Sequence, residues 1–170
     1  MKSKMRTADD KGKAEAFVYA NVPPRERAAF LRWNPNPIGD HKANLKNVVA
    51  DLQKVVDRAE QLAKGIGIEF VVGSGRRTPE QQAEAVRMGW SLTHDSKHLC
   101  GRAVDLWILD DCKCVTFTDT AAADRLAGLM KRAATEVGVE IAWGGDNTSF
   151  VDRPHFELVG QVAKPSSHTL

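Results

Sequence analysis

The sequence has few of the features that mark several protein classes. It has three cysteines in 170 residues, an odd number that does not favour a disulfide framework. It has no apolar run long enough to cross a bilayer, so we expect no membrane span. Lysine and arginine total 24 against 22 for aspartate and glutamate, and this near balance argues against a nucleic-acid-binding protein. A globular protein of ordinary composition remains, and we expect it to be a monomer.

The apolar pattern predicts one α+β domain. Apolar residues at three- and four-residue spacing predict a long helix from Asp40 to Gly65 and another between Asp119 and Gly138. Thr78, Pro79 and Gln81 form a capping-box pattern that predicts a helix start. Strands are predicted over 68–72, 102–109, 139–143 and 155–159. These elements favour a small antiparallel sheet with two long helices packed on one face.

The chain divides by composition into three segments. Residues 1–40 are an N-terminal extension of unknown role, residues 41–160 are the functional domain, and residues 161–170 are a flexible tail. We therefore looked for chemistry within 41–160.

The stretch from Ser96 to Asp105 carries the strongest candidate site residues. Asp105 lies on a predicted apolar strand, where an ionised carboxylate is costly to bury unless it is paired or bound to a metal. His98 lies seven residues earlier, and Gly101 between them can adopt backbone angles that fold His98 back beside Asp105. A buried His–Asp pair without any metal explains this spacing about as well.

A second stretch, Asp152-Arg153-Pro154-His155-Phe156, offers another histidine and another carboxylate. Pro154 disfavours a helix at the residue before it, so this stretch is predicted to be a rigid turn that leads His155 into a strand. Two histidines and one aspartate form a plausible three-ligand zinc site with an open position, and they leave Asp152 for chemistry. Spacing alone leaves this reading and a purely structural one about equally supported.

The chain resembles the zinc D-Ala-D-Ala carboxypeptidase and L-Ala-D-Glu endopeptidase family, which includes VanY-like peptidases and phage endolysins with the Hedgehog/DD-peptidase fold. The match covers about residues 45–160 and rests on four motifs in the family's order. These are Ser74-Gly75-Arg76-Arg77-Thr78-Pro79-Glu80-Gln81-Gln82, Ser96-x-His98-Leu99-x-Gly101-x-Ala103-Val104-Asp105-Leu106, Trp143-Gly144-Gly145-Asp146 and Asp152-x-Pro154-His155-Phe156.

The resemblance implies a role for each matching residue. One Zn²⁺ per chain is held by the metal ligands His98, Asp105 and His155. Asp152 and Arg77 are the catalytic residues: Asp152 is the general base, and Arg77 holds substrate or stabilises the oxyanion. The implied substrate-binding residues are Arg77, Ser96, Trp143 and Asp146. The implied substrate is a peptidoglycan stem peptide, cut by an L-alanyl-D-glutamate endopeptidase that acts as a phage endolysin in host cell lysis.

Two other functions stay open at this point. A D-Ala-D-Ala carboxypeptidase shares the same ligands, and a non-catalytic, zinc-stabilised cell-wall binding module has no need of the spare carboxylate of Asp152. Two positions also depart from the family pattern. Cys100 stands where a small hydroxyl residue is common. A thiolate there could compete as a ligand, but we expect Cys100 to be a small buried hydrophobe. His94 is a possible ligand by type, but it falls outside the motifs and we expect it to be a loop histidine. Asn147 stands where an aromatic is common.

The N-terminus bears on where such an enzyme would work. Residues 1–13 are charged and polar and lack the apolar segment of a secretory signal. We therefore expect synthesis in the cytoplasm and action on the cell wall after release by another agent.

Overall fold

The computed structural model of the chain describes residues 24–28, 41–111, 115–116 and 119–160. The α-helices are α1 (His41–Leu45), α2 (Ala50–Lys64), α3 (Pro79–Arg87) and α4 (Thr120–Val137). The strands are β1 (Glu69–Ser74), β2 (Ala103–Leu109), β3 (Val115–Thr116), β4 (Ile141–Trp143) and β5 (His155–Leu158). Short 3-10 helices cover Pro24–Glu26, Lys97–Cys100 and Gly144–Asp146.

All strand pairs in the sheet are antiparallel. The strand order is β1-β2-β5-β4, and β3 pairs with the end of β2. Strand β2 is central: one edge pairs with β1 and the other with β5 and β3. The predicted α+β fold with a small antiparallel sheet is therefore confirmed.

The two faces of the sheet differ because side chains alternate along each strand. Val104, Leu106 and Ile108 of β2 join the hydrophobic core, as do Phe156 and Leu158 of β5. The same core contains the apolar faces of α2 and α4, so both long helices pack on one side of the sheet. The opposite face is free to carry polar side chains.

The predicted long helix from Asp40 to Gly65 is in fact two helices, and this prediction was wrong in its continuity. Helix α1 ends at Leu45 and α2 begins at Ala50, with Val49 as an N-cap that makes no side-chain cap hydrogen bond. The break has a physical reason: the backbone N–H of Val49 donates to the carbonyl of Gly101 at 2.9 Å, which ties this turn to the segment carrying His98. Asp40 lies outside the described residues.

The other helix ends follow the sequence signals. The hydroxyl of Thr78 accepts a hydrogen bond from the backbone N–H of Gln81, and the side-chain oxygen of Gln81 accepts one from the backbone N–H of Thr78, so the capping box is present. Asp119 caps α4, and Gly138 ends that helix in the left-handed conformation. Each predicted strand appears, with ends shifted by one or two residues.

Some predictions fall outside the described residues. They concern most of the N-terminal extension 1–40 and the tail 161–170. Among the helices that are described, none has the length and apolar character needed to span a bilayer.

Replacing Gly101 tests how closely the turn before β2 packs against the turn between α1 and α2. Its φ is +69°, and a Cβ there would overlap the carbonyl oxygen of Asn47. We expect Gly101→Ala to lower the free energy of unfolding by at least about 1–2 kcal/mol, because a left-handed alanine alone costs about that much. Chemical denaturation measures the change.

Gly128→Ala is the matched control. Gly128 lies within α4, and an added Cβ meets nothing within 4 Å. The same substitution should raise stability there by about 0.5–1 kcal/mol, since glycine is unfavourable inside a helix. Equal effects at the two positions would contradict the role given to Gly101.

Candidate functional site

The register of the sheet places two of the candidate residues side by side. Asp105 on β2 pairs directly with His155 on β5, and on its other edge it pairs with Ser74 of β1. Residues directly opposite each other in neighbouring strands point to the same face. Asp105 and His155 therefore share the face of the sheet that is turned away from the core.

His98 reaches the same place from the turn before β2. The 3-10 helix Lys97–Cys100 begins at Ser96, whose hydroxyl accepts a hydrogen bond from the backbone N–H of His98 at 3.3 Å. It ends at Gly101 in the left-handed conformation. The turn that Gly101 was predicted to make is thus present, and it buries His98 to 1% exposure beside Asp105.

His98, Asp105 and His155 form a cluster that can hold a metal ion. One ligand atom from each lies within 4.8 Å of the other two. Nε2 of His98 and Nδ1 of His155 each lie 3.2 Å from Oδ1 of Asp105. Two imidazole nitrogens and one carboxylate oxygen converge on one point, as the sequence predicted.

The atoms facing away from this point are held by neighbours. Nδ1 of His98 lies 2.6 Å from the carbonyl oxygen of Gly75, so this nitrogen carries the proton and Nε2 is left as the ligand atom. Arg77 donates to Oδ2 of Asp105 at 2.5 Å, so Oδ1 is left toward the cluster. The side chains of His98 and Asp105 are therefore both held in a fixed orientation toward the cluster.

Arg77 is buried and donates hydrogen bonds to several neighbouring side chains. Besides Asp105 it donates to the hydroxyl of Ser74 at 3.1 Å and to the side-chain oxygen of Gln82 at 3.2 Å. Gln82 in turn donates to the hydroxyl of Ser91 and the carbonyl of Thr93, at 2.8 and 2.7 Å. The guanidinium is thus tied both to a ligand and to the loop that follows α3.

Burial and neighbouring charges act in opposing directions on the pKa values of Asp105 and His98. Burial raises the pKa of Asp105, but His98, Arg77 and the hydrogen bond from His155 outweigh it and hold that pKa well below its usual range. Burial lowers the pKa of His98 and outweighs the attraction of Asp105. The lowered pKa of His98 favours its neutral form, which is the form in which histidine binds a metal.

The pKa of His155 is shifted in the opposite direction to that of His98. Burial lowers its pKa, but hydrogen bonds to Asp105 and Glu157 together with the charge of Asp105 raise it to about 10. The same hydrogen bond from His155, with help from Lys97, lowers the pKa of Glu157 to about 2.

Asp152 lies beside this cluster in the turn before β5. Its backbone N–H donates to the carbonyl of Gly144 at 3.0 Å, and a Cβ on Gly144 would overlap the carbonyl oxygen of Asp152. Burial and the negative charge of Asp105 raise the pKa of Asp152 to about 6, with partial opposition from His155 and Arg77. A carboxylate with a raised pKa near a metal cluster has the character of a general base.

A cleft of about 810 Å³ opens over the cluster. All eight residues proposed for metal, catalysis or substrate line it, namely Arg77, Ser96, His98, Asp105, Trp143, Asp146, Asp152 and His155. The loop after α3 contributes Trp90 and Leu92, and the loop before Asp152 contributes Asn147 and Phe150. The sequence thus selected residues that share one cleft, although their individual roles stay predictions.

Three of the proposed substrate contacts also have local partners. Trp143 donates its indole N–H to the carbonyl of Arg153 at 2.7 Å, which holds the turn containing Asp152. Asp146 forms an ion pair with Lys131 at 2.7 Å. Ser96, as described above, caps the turn of His98, so each of these side chains has a structural task alongside any contact with substrate.

Two residues of the site were not recognised from the sequence as functional positions. Glu157 is two residues after His155 on a predicted strand, and alternation alone places it on the same face. Gln82 was included in the matched motif, but nothing in a single sequence indicates that a helix residue joins Arg77 to a loop.

Two residues considered as ligands lie outside the cluster. His94 is exposed in the loop after α3, in agreement with its reading as a loop histidine. Cys100 is exposed, and its thiol lies 3.4 Å from the carbonyl of Lys97. The suggestion that Cys100 is a small buried hydrophobe was therefore wrong: the turn that buries His98 directs Cys100 outward.

The raised pKa of His155 predicts how pH affects the metal-free protein. The folded pKa of about 10 lies above the unfolded value of 6.5, so the ion pairs of His155 contribute fully below pH 6.5 and are lost as pH rises toward 10. The free energy of unfolding should fall over this window by up to about 1.4 kcal/mol per pH unit. Denaturation of chelator-treated protein between pH 6.5 and 9 measures it.

His155→Asn should remove most of that slope, whereas His94→Asn, at an exposed histidine in the loop after α3, should leave it intact. The same slope in the wild type and in His155→Asn would contradict the charge assigned to His155.

Comparisons with known proteins bear on this site. The family model for phage L-alanyl-D-glutamate peptidase matches residues 39–159. The L-alanyl-D-glutamate peptidase of Listeria phage A118 is 33% identical over 117 residues, which are 65% of this chain and 40% of that protein. The chain thus spans about two fifths of the length of that relative.

Two solved structures are similar to the chain. The crystal structure of the Serratia marcescens L-Ala D-Glu endopeptidase ChiX superposes with a TM-score of 0.63 and 34% identity, covering 69% of this chain and 85% of that one. The vancomycin-resistance D,D-pentapeptidase VanY, in complex with Zn(II), superposes with a TM-score of 0.48 and 19% identity, covering 66% of this chain and 73% of that one. The family model matches residues 39–159, a range that includes every residue lining the cleft. The chain therefore belongs to the phage L-alanyl-D-glutamate peptidase family.

Proposed function

We propose that the protein is a zinc-dependent endopeptidase that cleaves the L-alanyl–D-glutamate bond of peptidoglycan stem peptides. The observation that carries the proposal is the three-ligand cluster with Asp152 beside it, at the floor of a cleft in a chain of this family. The likeness to ChiX, whose name states the same bond, supports this specificity.

The donor set supports zinc as the metal. Nε2 of His98, Oδ1 of Asp105 and Nδ1 of His155 are the atoms that would hold it, and two imidazoles with one carboxylate suit Zn²⁺. Three protein ligands leave a position open for water or substrate, whereas a structural zinc site has four. When bound, zinc supplies a Lewis acid and brings the pKa of its water close to neutrality.

Asp152 is the proposed general base. It lines the cleft, and its raised pKa of about 6 makes it a stronger proton acceptor than an exposed aspartate. It takes the proton of the attacking water and returns it to the amine that leaves as the peptide bond breaks. Its position three residues before His155, in a turn packed on Gly144, keeps it beside the cluster.

Arg77 is proposed to act through its charge and through Asp105. Its hydrogen bond to Oδ2 holds Asp105 in the orientation needed for metal binding. Its fixed positive charge at the cleft favours the negative oxygen that develops on the substrate carbonyl.

The walls of the cleft suit an extended peptide. Ser96, Trp143 and Asp146 are proposed as substrate contacts, together with Arg77. A peptidoglycan substrate places the site of action in the cell wall, and we propose that the protein reaches it after release from the cytoplasm.

A digest of purified peptidoglycan, read by mass spectrometry, tests the function. We expect new amino termini on D-glutamate that disappear with chelator and return with added zinc. Release of free D-alanine would instead identify a carboxypeptidase with the same site. A folded, zinc-loaded protein that creates no new termini would overturn the proposal in favour of a wall-binding module.

Replacement of Asp152 tests the base directly. We expect Asp152→Asn and Asp152→Ala to lower turnover by at least about 100-fold, because general-base catalysis contributes that much or more. Zinc content, measured by mass spectrometry of the metal, should remain at one per chain. Asp51→Asn, at an exposed residue of α2, is the matched control and should keep full activity. Normal cleavage by Asp152→Ala would show that the assigned role is wrong.

A further inference from the structure

The two histidines of the cluster are oriented in different ways. Nδ1 of His98 faces a backbone carbonyl, that of Gly75, at 2.6 Å. The corresponding outward atom of His155, Nε2, lies 3.0 Å from the side-chain carboxylate oxygen Oε2 of Glu157. Only the second of these partners is a side chain, so it can be tested by substitution without disturbing the backbone.

Glu157 is itself held by a second group. Its Oε1 lies 2.8 Å from Nζ of Lys97, and the same ammonium donates to the carbonyl of Leu158 at 2.9 Å. Lys97 directly precedes His98 on the 3-10 helix, whereas Glu157 lies on β5. The Lys97–Glu157 pair thus connects the segments that carry the two histidine ligands.

We propose that Glu157 is a positioning residue of the metal centre. Its carboxylate accepts a hydrogen bond from Nε2–H of His155, so that Nδ1 is the nitrogen that gives up its proton when a metal binds, and Lys97 holds the carboxylate in place. The inference rests on the proposed function in one respect, namely that His155 is a metal ligand. Groups of this kind are worth about 10–100-fold in metal affinity, because they set the tautomer, the ring angle and the basicity of the ligand.

The geometry separates Glu157 from a catalytic role. Both of its carboxylate oxygens are occupied, one by His155 and one by Lys97. By contrast, the carboxylate of Asp152 is held by neither of those groups and has the raised pKa of a proton acceptor. The two carboxylates at this end of β5 therefore have different tasks: Asp152 acts on water, and Glu157 acts on His155.

The Lys97–Glu157 ion pair also differs from an ordinary surface ion pair. The side chain of Glu157 is 27% exposed and that of Lys97 37%, and both line the cleft. Glu84 and Arg87 on α3 form an ion pair of similar length, 2.7 Å, and neither residue lines the cleft. That pair supplies the matched control.

The test measures zinc affinity by competition with a chromophoric chelator. Glu157→Gln keeps the size and one acceptor oxygen but removes the charge, and we expect it to bind zinc about 10–100-fold more weakly than the wild type. Lys97→Met should give a smaller loss in the same direction, and Glu84→Gln should bind as the wild type does. Thermal unfolding of each metal-free variant checks that the fold is retained.

Nitrogen NMR of the histidine rings adds a readout that a purely structural role would not change. In the zinc-loaded wild type, His155 should carry its proton on Nε2. In Glu157→Ala, which lacks the acceptor, that proton should exchange faster with water and its resonance should shift.

The outcomes distinguish this inference from the proposal it rests on. The role of Glu157 alone would be overturned by two results together. Glu157→Gln would bind zinc within twofold of a tightly binding wild type, and the His155 resonance would be unchanged in Glu157→Ala. A folded wild type that binds no zinc would overturn the proposed metal site itself.

Discussion

The pairing of β2 with β5 places Asp105 directly opposite His155, and the rest of the site depends on that register. Because side chains alternate along a strand, a slip of one residue would turn Asp105 into the core and bring Val104 or Leu106 to the cleft. The core opposes such a slip, since Val104, Leu106, Phe156 and Leu158 are buried on the other face. The hydrophobic packing that stabilises the domain is therefore also what brings two of the candidate ligands together.

Buried charge is the second constraint on this site. Asp105 and Arg77 are 8% and 9% exposed, and each would be costly to bury alone. They are bonded to each other, and their remaining atoms contact His98, His155, Ser74 and Gln82. The cluster is thus preorganised, and a metal ion that binds there meets ligands already held in orientation.

Much of the fold, and the residues that meet in the candidate metal site, could be predicted from the sequence, because the signals were local. Thr78 and Asp119 cap their helices as their residue types indicate, and Gly101 forms the turn it was expected to form. The three ligands were identified from motifs whose order matches a family. Their meeting in one cleft agrees with that identification.

The missed features all depend on contacts between distant segments. The break before Ala50 exists because the turn at Val49 packs on Gly101, and nothing within residues 41–64 signals it. The outward position of Cys100 follows from the burial of His98 two residues before it. The link from Arg77 through Gln82 to the loop after α3 likewise appears only when the chain is folded.

The central claim is that three protein ligands hold one zinc ion and leave a position open. An anomalous difference map at the zinc absorption edge, from crystals grown with zinc, tests it most directly. The account predicts one peak about 2.0–2.2 Å from Nε2 of His98, Oδ1 of Asp105 and Nδ1 of His155, with a fourth ligand that is not part of the protein. A peak coordinated by four protein side chains, or one located away from these residues, would contradict it.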